Sequence, residues 1–511
     1  MIDKYDVIII GAGVIGAAIA RELSRYHLSV AVLEKEIDVS FGVSKANSGI
    51  IHGGFHAPPD TLKGKLVVPG NRKFDRLCEE LDFPFERNGE LMVAFSEDEI
   101  STLQFYYDRG KKNNVPYLEI IGKERLLELE PNLNPDVECA LYAPSAGVIC
   151  PYEYCFALIE NAKQNGVNVI TGEKVIELKK NAGIFEIKTE KNNKYSALYI
   201  VNAAGLFADE IARMVGITNF KIVPRKGEEY LLDRRVGKLV KRVIFPCPTK
   251  KSKGMLIIPT VDGPVMVGPT ALDIEDKVDF STTRDGLKTV FNHAQKLVPS
   301  IRSTDAITSF VGLRPAATSN YSIISKFFSI IKSFTGTKPE YIDGDFIIGR
   351  TTISGFINAA GIQSPGLTAS PIIAEHISDA LLKDGLKLEK NPAFNPIRKR
   401  KVKHLRSILD EKNFSEVEKL VKENKKYSNL VCRCENVTEA EIVAAIKMGH
   451  TTLDGIKFAT RAGTGRCQAG FCTTRILDLI HQETGIPVEQ ITKKGPGSEI
   501  VLTPLRKGRD G

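Results

Sequence analysis

The opening of the chain alternates apolar runs with small and polar residues in an order that predicts a strand, a helix and a second strand. "YDVIII" is an apolar run rich in β-branched residues, and "GVIGAAIAREL" has the small and apolar residues of a buried helix. "SVAVLEK" is a second apolar run that ends at Glu34. Two strands joined by a helix form a βαβ unit with parallel strands, so the pattern predicts an α/β fold.

Three glycines occupy the turn between the first strand and the helix. Gly11 permits a tight turn, Gly13 lets the backbone approach a pyrophosphate, and Gly16 lets the helix pack closely on the strand. Glu34, at the end of the second strand, is placed to accept hydrogen bonds from ribose hydroxyls. The alternative is a glycine-rich turn that binds nothing, but here the strand, helix and acidic residue are all in place. The motif predicts a nucleotide site and leaves NAD and FAD open.

Two later stretches also pass from an apolar strand through a small-residue turn into a helix. They are "LYIVNAAGLFADEIA", from Leu198 to Ala212, and "GFINAAGIQSPGLTASPIIAEHISDAL", from Gly355 to Leu381. Such turns bring bare backbone close to a ligand, although ordinary packing of a strand on a helix would use the same residues. The second stretch offers another helix N-terminus, which suits a long cofactor held at both ends.

These segments, with "SKANSGIIHGGFH" after the first unit, resemble the FAD-dependent D-amino-acid oxidase superfamily over about residues 5–385. The resemblance implies FAD as the cofactor. It also implies a Rossmann-like FAD-binding domain interleaved with an α+β substrate or cap domain. The residues expected at the cofactor are Gly11, Gly13, Gly16, Glu34, Ser44, Asn47, Ser48, Ala204, Gly205, Gly361, Gly366, Leu367 and Thr368.

Two groups within that superfamily, both of which oxidise hydroxy compounds, share further sequence with this chain. "NSGIIHGGFHAPPDTLKGKLVVPGNRKF" resembles the L-2-hydroxyglutarate dehydrogenases. Those relatives also carry a His-x-Thr-Pro stretch where this chain has Leu256, Ile257 and Ile258 before Pro259. The other group is the glycerol-3-phosphate dehydrogenases, and the missing histidine argues against L-2-hydroxyglutarate as the substrate.

Oxidation of a hydroxyl by hydride transfer needs a base for the hydroxyl proton and a cationic clamp for an anionic substrate. His52, between glycines in "IIHGG", is the first candidate for the base, because imidazole titrates in the useful pH range. His52 could instead only pack or hydrogen-bond the cofactor, and His56 is the reserve candidate.

Arg314, in "VGLRPA", is the candidate for the clamp, because a guanidinium grips phosphate or carboxylate with two parallel hydrogen bonds. Relatives in the superfamily use an arginine in a matching Gly-x-Arg-Pro stretch to contact substrate. Arg225 and Lys226 in "VPRKGEEY" are weaker candidates, and Tyr230 is expected to line the same pocket.

Composition adds broad limits. The chain has 511 residues, of which 42% are hydrophobic and 26% charged, as expected for a folded protein of several domains. The formal charge of +8 is modest and the basic residues are mostly interleaved with acidic ones, which argues against a nucleic-acid partner. "MIDKYDVIII" fits neither a signal peptide nor a transmembrane helix, so we expect a cytoplasmic protein.

Nine cysteines are present, and four of them gather near the end of the chain. Cys432 and Cys434 are separated by one residue, and Cys467 and Cys472 by four. Four thiolates suit zinc or a [2Fe-2S] cluster. Zinc ribbons prefer two-residue gaps, and disulfides are disfavoured in a reducing compartment. The spacing is therefore unusual for a zinc ribbon, and both a zinc site and an iron-sulfur cluster stay open on spacing alone.

The stretches "CRCENVTEAEI" and "RAGTGRCQAGFC" resemble the [2Fe-2S] domain of the bacterioferritin-associated ferredoxin family. A flavin domain joined to this domain is similar to the large subunits of anaerobic glycerol-3-phosphate dehydrogenases. That likeness implies that electrons pass from flavin to cluster and on to partner subunits or a quinone. An electron-transfer subunit, a redox sensor, and a dehydrogenase for L-2-hydroxyglutarate or another 2-hydroxy or amino acid remain alternatives.

The segment "YSIISKFFSIIKSFTGTK", from Tyr321 to Lys338, has the pattern of an extra amphipathic helix. Its apolar face must be covered, either within the protein or by a partner subunit or membrane surface. The full domain plan is FAD-binding segments at about 1–84, 151–214 and 340–390, cap segments at about 85–150 and 215–320, a linker at 391–428, a [2Fe-2S] domain at 429–485 and a tail at 486–511.

Overall fold

The computed structural model describes residues 3–248, 254–319, 344–399, 403–410 and 412–502. The chain divides into two units, one formed by Met1–Lys35 with Val39–Arg398 and the other by Glu36–Asp38 with Lys399–Gly511. The amphipathic segment 321–338 lies outside the described residues. Within the described ranges, no helix combines the length and the apolar character needed to cross a bilayer.

The first unit alternates strands and helices along the chain. Its strands are β1 (Asp3–Ile10), β2 (Val30–Leu33), β3 (Ile50–Ile51), β4 (Phe85–Glu86), β5 (Glu90–Ala94), β6 (Glu119–Gly122), β7 (Cys139–Ala143), β8 (Gly147–Ile149), β9 (Asn168–Ile170), β10 (Val175–Asn181), β11 (Ile184–Thr189), β12 (Lys194–Asn202), β13 (Phe220–Leu232), β14 (Val243–Pro246), β15 (Leu256–Pro259), β16 (Val265–Gly268), β17 (Leu272–Asp273), β18 (Ala306–Ser319), β19 (Ile347–Arg350) and β20 (Phe356–Ala360). Its helices are α1 (Val14–Leu23), α2 (Leu62–Asn71), α3 (Phe74–Leu81), α4 (Glu97–Lys112), α5 (Lys123–Leu129), α6 (Pro151–Gln164), α7 (Ala208–Met214), α8 (Arg284–Leu297) and α9 (Gly366–Lys383).

One sheet is built around the βαβ unit that the opening residues predict. β1 pairs in parallel with β2 on one side and with β12 on the other, and β12 pairs in parallel with β20. The antiparallel strands β10 and β11 extend this sheet beside the first half of β12. Every residue of β2 is buried, as expected for a parallel strand covered on both faces. This sheet is the predicted Rossmann-like α/β domain.

A second sheet is built from the segments predicted to form the cap. Its order is β17-β13-β16-β15-β14-β5-β7-β6, and β18 pairs with β13 along its length. The helix α4 belongs to this cap region. Ser96 caps its start, where acidic residues gather, and basic residues occupy its last turn, as the helix dipole favours. The interleaved arrangement of FAD-binding and cap segments is confirmed.

The second unit is small and mostly helical. It contains β21 (Leu430–Cys432), β22 (Val437–Thr438), α10 (Leu405–Asp410), α11 (Phe414–Glu423), α12 (Glu439–Lys447), α13 (Leu453–Thr460) and α14 (Thr473–Thr484). Thr438 and Glu441 form a capping box at the start of α12, which fixes the turn just after the first cysteine pair. Cys432 and Cys472 are buried in the core of this unit with Ile442, Ile456 and Ile480.

The structure differs from the expected linker and tail. Residues 391–398 belong to the first unit, where Arg398 Nε donates to Glu160 Oε2 at 2.6 Å. The helices α10 and α11 follow in the second unit. At the other end, Leu453 N donates to the carbonyl of Thr492 at 3.2 Å, so at least part of 486–502 packs on the second unit. The polar composition of residues 391–428 is typical of a connector, and composition alone does not reveal these long-range hydrogen bonds.

Candidate functional site

The glycine turn between β1 and α1 is packed too tightly for side chains at two of its three glycines. Gly11 has φ +108°, and a Cβ there would lie 2.4 Å from the carbonyl oxygen of Ala203. A Cβ at Gly16 would lie 1.9 Å from the carbonyl oxygen of Gly11. At Gly13 the space is larger, because the nearest atom to a Cβ there would be Ser44 Oγ at 3.0 Å. Glycine is therefore required for backbone conformation at Gly11 and for close packing at Gly16.

Two polar side chains hold this turn from the outside. Glu34 Oε2 accepts a hydrogen bond from Ala12 N at 2.6 Å, and Ser44 Oγ accepts one from Val14 N at 2.8 Å. Gly13, the residue before α1, provides no side-chain cap. The helix start is thus built to receive an anionic group from the backbone side. A contact between Glu34 and a ribose stays a prediction.

The loop after the turn is ordered by its own polar residues. Asn47 Nδ2 donates to the carbonyl of Ser44 at 2.7 Å, and Asn47 Oδ1 accepts from Gly49 N at 2.9 Å. Ser48 is half-buried between them. These bonds stabilise the backbone of the loop that the sequence assigns to the cofactor.

The other predicted cofactor segments come to the same sheet. A Cβ at Gly11 would lie 3.2 Å from Cα of Ala204, so the two turns abut. Gly205 has φ +55° and open space around its Cβ position. In the third segment, the turn after β20 starts at Gly361, which also has a positive φ of +66°.

The helix α9 begins at Gly366, as the sequence predicts, and continues through Leu367 and Thr368. The buried Thr368 Oγ1 accepts a hydrogen bond from His52 N at 3.0 Å. Gln363, just before the helix, is buried, and its Nε2 has no hydrogen-bond partner within the described part of the chain. A buried amide donor that faces no protein acceptor fits a site that a polar cofactor completes. These residues therefore fit FAD.

The imidazole of His52 is held by a buried carboxylate that the sequence did not single out. His52 Nδ1 lies 3.1 Å from Glu90 Oε2, and Glu90 Oε1 accepts from Gly53 N at 2.8 Å. His52 Nε2 lies 3.3 Å from Ser364 Oγ. Glu90 is fully buried at the start of β5, 38 residues away along the chain. No local motif marks such a partner, because the contact joins the FAD-binding segment to the cap.

The reserve candidate, His56, lies in an aromatic group beside His52. Its ring centroid is 5.6 Å from that of His52, 4.1 Å from Phe55 and 4.6 Å from Phe245. The side chains of His52, His56 and Glu90 bring their ligand atoms within 4.8 Å of one another, a spacing that a metal ion could bridge. Both oxygens of Glu90 already accept hydrogen bonds or pair with His52, so a hydrogen-bonded network accounts for the grouping.

Arg314 lies on β18, directly opposite Arg225 on β13. Its Nη2 donates to the carbonyl of Thr270 at 2.8 Å, and its Nε lies 3.4 Å from the carbonyl of Arg225. A Cβ at Gly227 would lie 3.3 Å from Nη2, so glycine at this position leaves room for the guanidinium. These contacts fix the orientation of the arginine on the sheet.

The same strand brings Arg314 to the predicted cofactor loop. Gly312 is two residues before Arg314, and successive even positions share one face of a strand. A Cβ at Gly312 would lie 2.3 Å from the carbonyl oxygen of Ala46, between Ser44 and Asn47. Arg314 therefore projects from the strand face that contacts this loop.

The weaker clamp candidates are held by acidic partners. Arg225 Nε donates to Asp273 Oδ1 at 2.7 Å, and the buried Lys226 donates through Nζ to Asp279 Oδ2 at 2.7 Å. These ion pairs explain both cations as supports of the cap. A role for Arg225 in substrate binding stays a prediction.

Tyr230 is not brought to Arg314. Its ring lies edge-on to Phe291 with centroids 5.7 Å apart, within the core between the cap sheet and α8. Because side chains alternate along a strand, Tyr230 points to the face opposite that of Glu229. The structure therefore gives no support to the expectation that Tyr230 lines the same pocket. The sequence shows that side chains alternate along the strand, but only the strand pairing shows which face carries Arg314.

Glu229 is a second carboxyl group that sequence reasoning missed. It is 3% exposed, and its Oε2 has no hydrogen-bond partner among the residues that the structure describes. Burial raises the pKa of Glu229 to about 8, although the charge of Arg314 opposes the shift. The neighbouring Glu228 is also buried, but Thr283 Oγ1 donates to it at 3.0 Å. Two adjacent glutamates in the middle of a predicted strand were the available signal.

The four clustered cysteines come together in the second unit. Cys434 Sγ lies 3.6 Å from Cys467 Sγ, and Cys432 Sγ accepts a hydrogen bond from Gly463 N at 3.5 Å. A hydrogen bond from the Cys472 thiol lowers the pKa of Cys432. A Cβ at Gly465 would lie 2.4 Å from that of Cys434, so glycine lets the second loop close on the first.

A buried charge network lies directly behind this cysteine group. Glu435 Oε2 accepts from Arg406 Nη1 at 2.9 Å and from Arg461 Nε at 3.0 Å. The paired glutamate lies next to Cys434 and anchors the first cysteine loop. Four thiols on two loops held this way fit a [2Fe-2S] cluster.

Family comparisons agree with both sites. The family described as FAD dependent oxidoreductase matches residues 6–380. The family described as BFD-like [2Fe-2S] binding domain matches residues 430–482, close to the predicted 429–485. FAD and a [2Fe-2S] cluster are therefore the cofactors, and the zinc alternative is set aside.

Individual relatives cover different shares of the chain. "Glycerol 3-phosphate dehydrogenase" of Caloramator mitchellensis is 44% identical and covers 98% of this chain and 99% of its own. "L-2-hydroxyglutarate dehydrogenase, mitochondrial" of Homo sapiens is 32% identical over 74% of this chain and 88% of its own. The solved structure of L-alpha-glycerophosphate oxidase from Mycoplasma pneumoniae with FAD bound is 30% identical, has a TM-score of 0.70, and covers 78% of this chain and 98% of its own.

Proposed function

Because the chain belongs to the family of FAD-dependent oxidoreductases, we propose that it oxidises sn-glycerol 3-phosphate to dihydroxyacetone phosphate and passes the electrons through its [2Fe-2S] cluster. The electrons leave for a partner protein or a quinone. The observation that carries the proposal is the similarity to the Caloramator mitchellensis protein, which extends over 98% of this chain and thus over both units.

The clamp for the phosphate is Arg314. Its backbone hydrogen bonds to Thr270 and Arg225 hold the guanidinium in place before substrate arrives. A pre-oriented guanidinium binds a phosphate with paired, charge-assisted hydrogen bonds and loses little side-chain entropy in doing so. The contact between the Arg314 strand and the predicted cofactor loop, at Gly312 and Ala46, supports a substrate anion site beside the cofactor.

The base for the substrate hydroxyl is His52. Glu90 accepts a hydrogen bond from Nδ1–H, and this leaves Nε2 as the nitrogen that takes a proton from substrate. The hydrogen bond from Gly53 N to the other Glu90 oxygen keeps the carboxylate oriented. When bound, FAD supplies the acceptor for the hydride that leaves the substrate carbon.

The cluster domain distinguishes this chain from the oxidase that it resembles. The Mycoplasma pneumoniae structure is matched over 98% of its length but covers only 78% of this chain. An enzyme that gives its electrons directly to oxygen has no need of a cluster, whereas a dehydrogenase with a separate acceptor can use one to pass electrons on singly. Phe471, between Cys467 and Cys472, is 87% exposed and offers an apolar contact for such an acceptor.

The site of action follows from the acceptor. A protein acceptor is consistent with the expected cytoplasmic location, and a quinone acceptor would require peripheral contact with the inner face of the membrane. Reconstitution with vesicles that contain a quinone tests this. If the acceptor is a quinone, the quinone should be reduced when substrate is added, and the protein should sediment with the vesicles.

L-2-hydroxyglutarate is the second candidate substrate, on the basis of the human relative and the "NSGIIHGGFH" stretch. Anaerobic flavin bleaching separates the candidates. Purified protein is mixed with glycerol 3-phosphate, L-2-hydroxyglutarate, L-lactate and amino acids, and the loss of flavin absorbance is followed. Bleaching by glycerol 3-phosphate alone supports the proposal, and bleaching by L-2-hydroxyglutarate alone replaces it. Absence of bleaching by any substrate would favour an electron-transfer subunit.

A further inference from the structure

Glu229 is a buried acid that the packing of the cap leaves unexplained. It is 3% exposed, and Oε2 lacks a hydrogen-bond partner in the described ranges of the chain. A buried polar atom without a partner destabilises the folded state, so a folded protein retains one where a ligand completes it or where function needs it. Glu228, next in the chain, shows the ordinary alternative, because Thr283 donates to both of its oxygens.

The pairing of β13 with β18 places Glu229 on the face that carries Arg314. Glu229 lies opposite Phe310, and Arg314 lies opposite Arg225. Residues 225, 227, 229 and 231 share one face of β13 with their partners on β18, because side chains alternate along a strand. Arg314 is also the charged group that acts on the pKa of Glu229. The acid and the guanidinium therefore occupy one patch.

This patch leads to the candidate base. Leu231 and Phe310, which flank Glu229 on the same face, pack on the core cluster that contains Phe245. Phe245 lies 6.0 Å from the ring of His52 and 4.6 Å from that of His56. On the other side of Glu229 is Gly268 of β16. A Cβ at Gly268 would lie 3.0 Å from Glu229 Cγ, so the absence of a side chain there leaves room for the glutamate. Glu229 is thus connected to the histidines through these apolar neighbours and Phe245.

We propose that Glu229 acts as a neutral carboxylic acid that donates a hydrogen bond to the oxyanion held by Arg314, and so forms the second half of the anion subsite. The inference rests on the proposed function for the identity of that oxyanion, a phosphate monoester, but its chemistry applies to any tetrahedral dianion. An O–H donated to an anionic oxygen makes a short, charge-assisted hydrogen bond. One arginine and one neutral acid then bind the group from two sides.

The protonation state of Glu229 makes affinity depend on pH. Burial keeps the carboxyl protonated below a pKa of about 8, and an anion bound beside it raises the pKa further. Above that pH the free protein carries a carboxylate that pairs with Arg314 and repels the anion. The groups that face Glu229 are Arg314 and Phe310 from β18 and Gly268 from β16, and on its own strand Arg225 is paired with Asp273. Arg314 is thus the charge that Glu229 and substrate compete for.

The alternative is a purely structural Glu229 that is ionised and paired with Arg314 at all working pH values. That alternative predicts constant affinity for a dianion across the pH range and no protonated carboxyl. It also predicts tighter binding of a dianion in Glu229→Gln, because the substitution would remove a carboxylate that repels the anion.

The test uses sulfate as the probe, because sulfate remains a dianion over the whole working range of pH. Its dissociation constant from the FAD-loaded protein is measured by calorimetry between about pH 6.5 and 9.5, for wild type, Glu229→Gln, Glu229→Ala and the control Glu228→Gln. We expect wild-type affinity to fall about tenfold per pH unit above about pH 8. Glu229→Gln, whose amide still donates, should bind at pH 7 within a few-fold of wild type and lose the pH dependence. Glu229→Ala should bind several-fold more weakly at pH 7, and Glu228→Gln should keep the wild-type pH profile.

Infrared difference spectra provide a second readout, which reports the protonation state of the carboxyl directly. Addition of sulfate at pH 7 should shift the carbonyl stretch of a protonated carboxylic acid, and Glu229→Gln should lack that band. A flat wild-type profile, a persistent pH dependence in Glu229→Gln, or no shifted band would each overturn the inference. If glycerol 3-phosphate fails to bleach the flavin while sulfate binding behaves as expected, the proposed substrate is rejected and the anion subsite stands. If glycerol 3-phosphate bleaches the flavin but the sulfate profile is flat, the role of Glu229 is rejected and the proposed substrate stands.

Discussion

His52 Nδ1 lies 3.1 Å from Glu90 Oε2, and under the proposed mechanism this contact leaves Nε2 as the ring nitrogen that takes a proton from substrate. Glu90 is fully buried, and its other oxygen accepts from Gly53 N. The carboxylate is therefore fixed, and the ring it orients presents Nε2 toward Ser364 and the start of α9. A histidine held by a buried carboxylate in this way is a positioned base.

Glu90→Gln should slow flavin reduction by substrate by about 10²–10⁴-fold while FAD remains bound. The amide can keep the bond to Gly53 N, but its other end donates to the imidazole and favours the wrong tautomer. Anaerobic stopped-flow bleaching gives the rate, and the flavin content of the purified variant is the control. An unchanged rate would remove Glu90 from the mechanism.

His52→Ala should slow flavin reduction more at neutral pH than at high pH, where the substrate hydroxyl loses its proton more easily. His56→Ala is the matched control, because its ring lies in the same aromatic group, 5.6 Å from that of His52. The comparison uses reduction rates at several pH values. A larger effect in His56→Ala would make His56 the base.

Arg314→Ala should weaken substrate use far more than FAD retention, by on the order of 2–5 kcal/mol in kcat/KM. The loss arises because the substrate anion is left buried without its bidentate partner. Arg225→Ala is the control, since its ion pair with Asp273 makes it a support of the cap. Steady-state kinetics with a dye acceptor give kcat and KM separately, and a normal KM in Arg314→Ala would eliminate this residue as the clamp.

Cys467→Ser should abolish reduction of a protein acceptor and leave substrate bleaching of the flavin nearly intact, because the two cofactors belong to different units. The wild type should contain about two irons per chain. Cys139→Ser, which changes a thiol in the cap, is the control and should keep its iron. Loss of bleaching in Cys467→Ser would show that the units are not functionally separable.

Glu229→Gln should stabilise the folded protein, and the gain should grow as pH rises from about 4.5 to about 8 and then level off. The sign follows from proton binding, because in this range the folded protein retains a proton on Glu229 that the unfolded chain has released. Rising pH therefore lowers wild-type stability, by on the order of a few kcal/mol in all. Thermal unfolding of wild type and variant across this range measures the difference, and a gain that shrinks with pH would contradict the raised pKa.

Local patterns in the sequence were enough to locate both cofactors. Gly11, Gly13 and Gly16 lie in the turn after β1 and the first turn of α1, so a short stretch of sequence contains the whole motif. The cysteine spacing and the flanking "CRCE" and "GRCQAGFC" stretches likewise specify a cluster site from two short loops. The start of α9 at Gly366 was predicted for the same reason, since a helix start after a strand and a small-residue turn is a local event.

The chemistry of the substrate site depended on tertiary structure. Glu90 reaches His52 across 38 positions of the chain, and Glu229 meets Arg314 only through the pairing of β13 with β18. Strand alternation puts Glu229 and Tyr230 on opposite faces of the sheet. Only the strand pairing shows which of these two residues is on the same face as Arg314. The physical reason is that burial and pKa are set by whatever surrounds a side chain in space, and for residues on paired strands those surroundings come from distant parts of the chain.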